Sequence, residues 1–99
     1  MVQHILVAHD LSPEADLALS RAAQLAQQTG ARLSVLHVLT GQPDAKEQQH
    51  AQVYLHTRLE RHGLAQLQPW IREGRAAEEI LTQAAGLEID LLIMGRHHR

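Results

Sequence analysis

The sequence contains no cysteine and no phenylalanine, and only one tryptophan, one tyrosine and three prolines among 99 residues. Without cysteine there are no disulfides, no thiolate nucleophile and no thiolate zinc site, and the composition fits a reducing compartment. The apolar 44% is ordinary for a globular chain but is mostly Leu and Ala. Such a core suits helices packed on a sheet better than an aromatic-rich β-sandwich. The net charge of -2 provides no basic field for nucleic acid. Eight histidines make that charge sensitive to mild acid. No apolar run approaches the roughly 20 residues that span a bilayer, and Met1-Val2-Gln3-His4 opens without a signal-peptide pattern. The expectation is one cytoplasmic domain with no nucleic-acid or membrane partner.

What is present alternates between two periodicities. Ile5-Leu6-Val7-Ala8 is an unbroken apolar run, which predicts a strand buried on both faces of a parallel sheet. Ser12-Pro13-Glu14 then supplies a capping hydroxyl, a proline for the first helical position and an acid for the first turn. Ala15, Ala18, Leu19, Ala22, Ala23 and Ala26 recur at helical spacing until Gly30, where a left-handed cap is expected. Residues 33–39 form a second strand, reached by a parallel crossover. A turn at 40–44 precedes a polar helix from Ala45 to His62, with Ala51, Leu55 and Leu59 on its buried stripe and Gly63 at its end.

The third strand is expected over Leu67 to Ile71. Pro69 inside it argues for a sheet edge. Ala77, Ile80, Leu81 and Ala84 predict the buried stripe of a third helix that opens with Glu78 and Glu79 and closes near Gly86. Asp90 to Met94 form the fourth strand, followed by Gly95. The order β-α-β-α-β-α-β makes a layered, mainly parallel α/β sheet, and ligands of such sheets sit beyond the carboxyl ends of the strands.

These motifs, in this order, resemble the universal stress protein family. Ile5-Leu6-Val7-Ala8-His9-Asp10-Leu11-Ser12 is similar to its first strand and the turn after it, and Leu36-His37-Val38 to the end of its second strand. Arg72-Glu73-Gly74-Arg75-Ala76-Ala77-Glu78-Glu79-Ile80 is similar to its third-strand-to-helix turn, and Asp90-Leu91-Leu92-Ile93-Met94-Gly95 to its fourth strand. The resemblance implies a flavodoxin-like, doubly wound sheet of the adenine nucleotide alpha hydrolase-like type, with strands ordered 3-2-1-4-5. Residues 1–99 would then be a single universal stress protein domain that lacks the last helix and the fifth strand, a truncated portion of a longer chain. Its fourth strand would present an uncovered edge open to pairing. A homodimer is expected if the fifth strand exists.

The resemblance further implies a role in stress response or signalling and a site for ATP or a related adenine nucleotide. It assigns Ala8, His9, Asp10 and Val38 to the base side, and Met94, Gly95, Arg96 and His97 to the start of the phosphate side. ATP-binding members carry Gly-x2-Gly-x9-Gly-(Ser/Thr) after the fourth strand. Only Gly95 of that pattern is present, and His98 stands where the second glycine belongs. The residues alone also allow plainer roles: Asp10 as a turn-forming carboxylate, Ser12 as a helix cap worth about 1 kcal/mol, and His37 as a satisfied structural histidine. No glycine-rich dinucleotide or P-loop fingerprint occurs in the first turn.

His50 and His56 are six apart, and His97 and His98 are adjacent, so neither pair matches a metal site on one helical face. No nucleophile with a base is apparent, so no catalytic residue is assigned and enzymatic activity beyond slow nucleotide hydrolysis is not expected. A UspA-like dimerisation or protein-interaction module without nucleotide is the alternative. An adenylyl-transferring relative ranks below both, because no His-x-Gly-His motif occurs.

Overall fold

In the computed structural model, residues 1–95 are described. Strand β1 (His4–Ala8) is followed by helix α1 (Pro13–Thr29), β2 (Arg32–Leu39), α2 (Ala45–Arg61), β3 (Trp70–Glu73), α3 (Ala76–Leu87) and β4 (Leu91–Met94). The strands form one sheet in the order β3-β2-β1-β4, and every pairing is parallel. This is the fold anticipated from the sequence.

The alternation of β1 builds two cores. Ile5 and Val7 point to the face covered by α1 and α2, where they join Leu19, Ala22, Val35, Leu55 and Leu59. Leu6 and Ala8 point to the other face and meet Leu36 and Ile80. Both faces of β1 are therefore dry, which is why its sequence does not alternate.

Helix ends follow from local chemistry. The Ser12 hydroxyl accepts from the Ala15 amide at 3.1 Å and Pro13 occupies the first turn. Gly30 closes α1 with φ 74°. The Asp44 carboxylate caps α2 by accepting from the Glu47 amide at 2.8 Å.

Two boundaries and one buried stripe differ from expectation. Strand β3 begins after Pro69 rather than around it, because its ladder with β2 runs from Trp70 to Glu73 and a proline has no N–H to give. Helix α3 runs past Gly86 to Leu87 and ends at a left-handed Glu88, φ 52°. There Ile89 donates to the Ala84 carbonyl and packs with the second core. The stripe of α3 is also narrower than expected. Ile80 is buried with Ala84 and Leu87 beside it, whereas Ala77 and Leu81 face outward, Leu81 at 67% exposure. Ile80, Ala84 and Leu87 share one line of a 3.6-residue helix. Leu81 lies off it, and among the described residues no second helix covers that side of the sheet.

Two polar devices hold the amino ends of the strands. The His4 ring donates from Nδ1 to the Leu87 carbonyl at 3.1 Å and accepts at Nε2 from the Ser34 hydroxyl at 2.7 Å, pinning α3 to the sheet. The Asp90 carboxylate accepts from the backbone amides of Gln3 and His4, at 2.7 and 2.9 Å. Those bonds hold its carboxyl below the ordinary value of 3.8, with the Gln3 bond contributing most. A depressed carboxylate stabilises the fold above its unfolded value, and that contribution is lost as pH falls through the folded value. Asp90→Ala is therefore expected to melt at lower temperature than the native chain at neutral pH, the difference shrinking below 3.8. A gap that stays constant across the acid range would contradict this role.

Candidate functional site

The chain leaves β1 through a tightly specified turn. Leu11 adopts φ 67°, a left-handed conformation that a branched side chain enters at a cost. It is held there because its amide donates to His9 Nδ1 at 2.9 Å. Asp10 Oδ1 accepts from the Ser12 amide at 3.0 Å and from the Ser12 hydroxyl, which itself caps α1. The plainer roles of Asp10 and Ser12 are thus both realised, and they aim the turn at the carboxyl end of the sheet.

His9 is the anchor of this turn. With Nδ1 accepting from Leu11, the neutral ring carries its hydrogen on Nε2, which donates to Asp16 Oδ1 at 2.8 Å. The second Asp16 oxygen faces Arg58 Nε at 3.2 Å. The Arg58 guanidinium lies 4.7 Å over the Tyr54 ring, and Tyr54 meets His9 edge-on at 6.3 Å. A relay therefore runs from the β1 turn through α1 to α2. Burial holds the His9 imidazole below its ordinary 6.5, against the pull of the Asp16 carboxylate, which fits a ring that must keep a lone pair for Leu11. None of this is legible from spacing, since His9, Asp16 and Arg58 lie on three different elements that only the fold brings together.

Beyond the turn lies a crevice of about 320 Å³, including its open mouth, lined by Ala8, His9, Asp10, Leu36, His37, Val38, Ala76 and Ile80. Four of the residues singled out in the sequence, Ala8, His9, Asp10 and Val38, meet here. His9 lines the crevice with its ring nitrogens already committed. The sequence reading did not place His37, Ala76 and Ile80 here; α3 carries the latter two across the sheet. A wider polar groove lined by Gln24, Gln27, Arg61 and His62 lies where α1 and α2 end and β2 begins, remote from the strand carboxyl ends.

Met94 and Gly95 stand beside the crevice and not in its wall. Met94 pairs with Ala8 across the β1–β4 ladder and is 55% exposed. Gly95 packs so closely on α1 that a Cβ there would lie 2.5 Å from the Ala15 nitrogen. Arg96, His97 and His98 lie outside the described residues. Among the described residues, no group of three or more His, Asp or Glu is arranged to hold a metal ion, and no helix is long and apolar enough to cross a membrane.

Comparison with known proteins adds four findings. A sequence model of the universal stress protein family matches residues 1–99. A protein described as a universal stress protein in the QAH/OAS sulfhydrylase 3' region of Thermus aquaticus is 35% identical over 106 aligned positions, covering 96% of this chain and 77% of that one. Among solved structures, the universal stress protein UspA from Lactobacillus plantarum superposes with a TM-score of 0.84 at 24% identity, over 99% of this chain and 79% of that one. A universal stress protein crystallised in complex with cAMP superposes with a TM-score of 0.77 at 20% identity, over 92% of this chain and 70% of that one.

Proposed function

The chain belongs to the universal stress protein family, and from that premise we propose that it serves in stress response or signalling by binding an adenine nucleotide at the carboxyl ends of β1 and β4. The observation that carries the reading is the convergence of Ala8, Asp10 and Val38 on one apolar-walled crevice beyond the carboxyl ends of β1 and β2, next to the switch point between β1 and β4. A family relative of the same fold crystallised with cAMP supports the ligand class. On this reading the base enters between Val38 and the α3 residues Ala76 and Ile80, while Asp10 accepts a hydrogen bond from the base or ribose. Gly95, Arg96 and His97 then begin the phosphate side. No group in the crevice combines a nucleophile with a base, so the role proposed is binding and no chemical step is assigned.

Calorimetric titration with ATP and with cAMP tests the reading. Binding of at least one is expected. Asp10→Ala should weaken it about tenfold to a hundredfold, the size of a lost hydrogen bond to a charged group. Since Asp10 also holds Ser12, a thermal melt of the variant must accompany the titration. No heat with either nucleotide would overturn the proposal for these ligands.

A further inference from the structure

The turn after β1 joins backbone strain to a proton-sensitive lone pair. Leu11 sits at φ 67°, and its amide is held by His9 Nδ1 at 2.9 Å. Nδ1 accepts that bond only while the ring is neutral, because in the imidazolium both nitrogens carry hydrogen. Asp10, which lines the crevice, stands between these two residues and takes its direction from them. The groups around the ring respond differently to a proton. From α1, Asp16 accepts from Nε2 at 2.8 Å, a bond that the imidazolium strengthens. From α2, Arg58 takes the other Asp16 oxygen and Tyr54 meets the ring edge-on. From β2, His37 donates from Nδ1 to the His9 carbonyl at 2.7 Å, which it does in either charge state. Asp10 and His37 also act on the ring through their charge. Among these contacts, protonation of His9 breaks the Leu11 bond alone.

We propose that the bond between His9 and Leu11 is an acid-release latch: a proton taken up at Nδ1 unfastens the turn, frees Asp10 from its orientation and releases the nucleotide. The inference rests on the reading of the crevice as a nucleotide site, whereas the latch itself belongs to the turn. Without its acceptor the Leu11 amide faces another donor, and nothing offsets the strain of the left-handed backbone. Asp16 keeps hold of the ring, so α1 stays docked and the opening is confined to residues 9–11. The His9 side chain is fully buried, and that burial holds its imidazole below 6.5 against the pull of Asp16. A ligand that requires the closed turn disfavours the proton, and by linkage the proton disfavours the ligand equally. Affinity is therefore complete above the folded value of His9 and falls about tenfold per pH unit beneath it.

The test titrates ATP and cAMP into the native chain and into His9→Asn, from neutral pH to below the His9 value located by histidine NMR. The asparagine oxygen accepts from the Leu11 amide as Nδ1 does, but it takes up no proton. Titration of the nucleotide and of Asp10 is common to both proteins, so the ratio of their affinities isolates His9. That ratio should fall about tenfold per pH unit below the His9 value, with melts showing both proteins folded. A constant ratio would overturn the latch while leaving the nucleotide site standing. Failure to bind either nucleotide at neutral pH would overturn the nucleotide reading and the release together. The latch is also read without ligand, and without the variant should His9→Asn not fold. Nitrogen-15 NMR of the native chain should show the Leu11 amide shifting in step with the His9 ring, and a Leu11 amide indifferent to that titration would sink the proposal.

Discussion

Replacing Gly95 with alanine is expected to destabilise the protein by about 3 kcal/mol, although it adds a single methyl group. A Cβ at Gly95 would sit 2.5 Å from the Ala15 nitrogen, 2.6 Å from its Cα and 2.7 Å from the Glu14 carbonyl carbon. Comfortable carbon contacts begin at about 3.5 Å, and here the neighbours are backbone atoms with no rotamer to adopt. The first turn of α1 is itself fixed, by Pro13, by the Ser12 cap and by Ala15, which is fully buried. The end of β4 would have to yield, pulling Ile93 and Met94 off their partners Val7 and Ala8. Gly86 provides the internal control, since a Cβ there meets nothing within 4 Å and the residue lies in α3. Gly86→Ala should raise stability by about 0.5–1 kcal/mol through helix propensity. Thermal and urea melts of the two variants would then move in opposite directions, and a Gly95→Ala protein as stable as its parent would refute the close packing.

His9→Leu is expected to cost about 2–3 kcal/mol, despite replacing a buried polar ring with an apolar side chain of similar size. The leucine leaves the Leu11 amide and Asp16 Oδ1 without their partners and removes the tie that keeps Leu11 at φ 67°. Asp16 would retain Arg58, so α1 and α2 should stay joined while the β1 turn loosens. Nucleotide affinity should fall with stability, because Asp10 loses its orientation.

The pH dependence separates this role from simple packing. Because the folded value of His9 is depressed, the unfolded chain takes up the proton first. The stability that neutral His9 contributes is therefore complete above 6.5 and declines as pH falls from there toward the folded value. The native chain should show this loss in melts across that window, and His9→Leu should lack it. Identical pH profiles for the two proteins would reject the assignment.

Much of the architecture was legible because it depends on local patterns. The unbroken Ile5–Ala8 run, the Ser12-Pro13 start, Gly30 and the Ala51-Leu55-Leu59 stripe each express a burial or capping requirement that neighbouring residues meet by themselves. The errors came where a distant element decided. Pro69 could be read only as an edge marker, since the residue at which β3 begins pairing depends on β2. Leu81 counted as core on helical spacing, but whether it is covered depends on what packs beside α3, and periodicity carries no information about that.

The candidate site divides along the same line. Sequence by itself determined the class of protein, through motifs whose order resembles that of the universal stress proteins, and it pointed to the carboxyl ends of the strands as the expected site. Tertiary structure alone decided what each side chain does there. It committed His9 to Leu11 and Asp16, tied His37 to the His9 carbonyl, brought Ala76 and Ile80 over the crevice, and made Gly95 a packing necessity against α1. The physical reason is that hydrogen bonds and close contacts act over a few ångströms between residues far apart along the chain, 87 positions for Gln3 and Asp90. Propensity and periodicity register only neighbours along the chain.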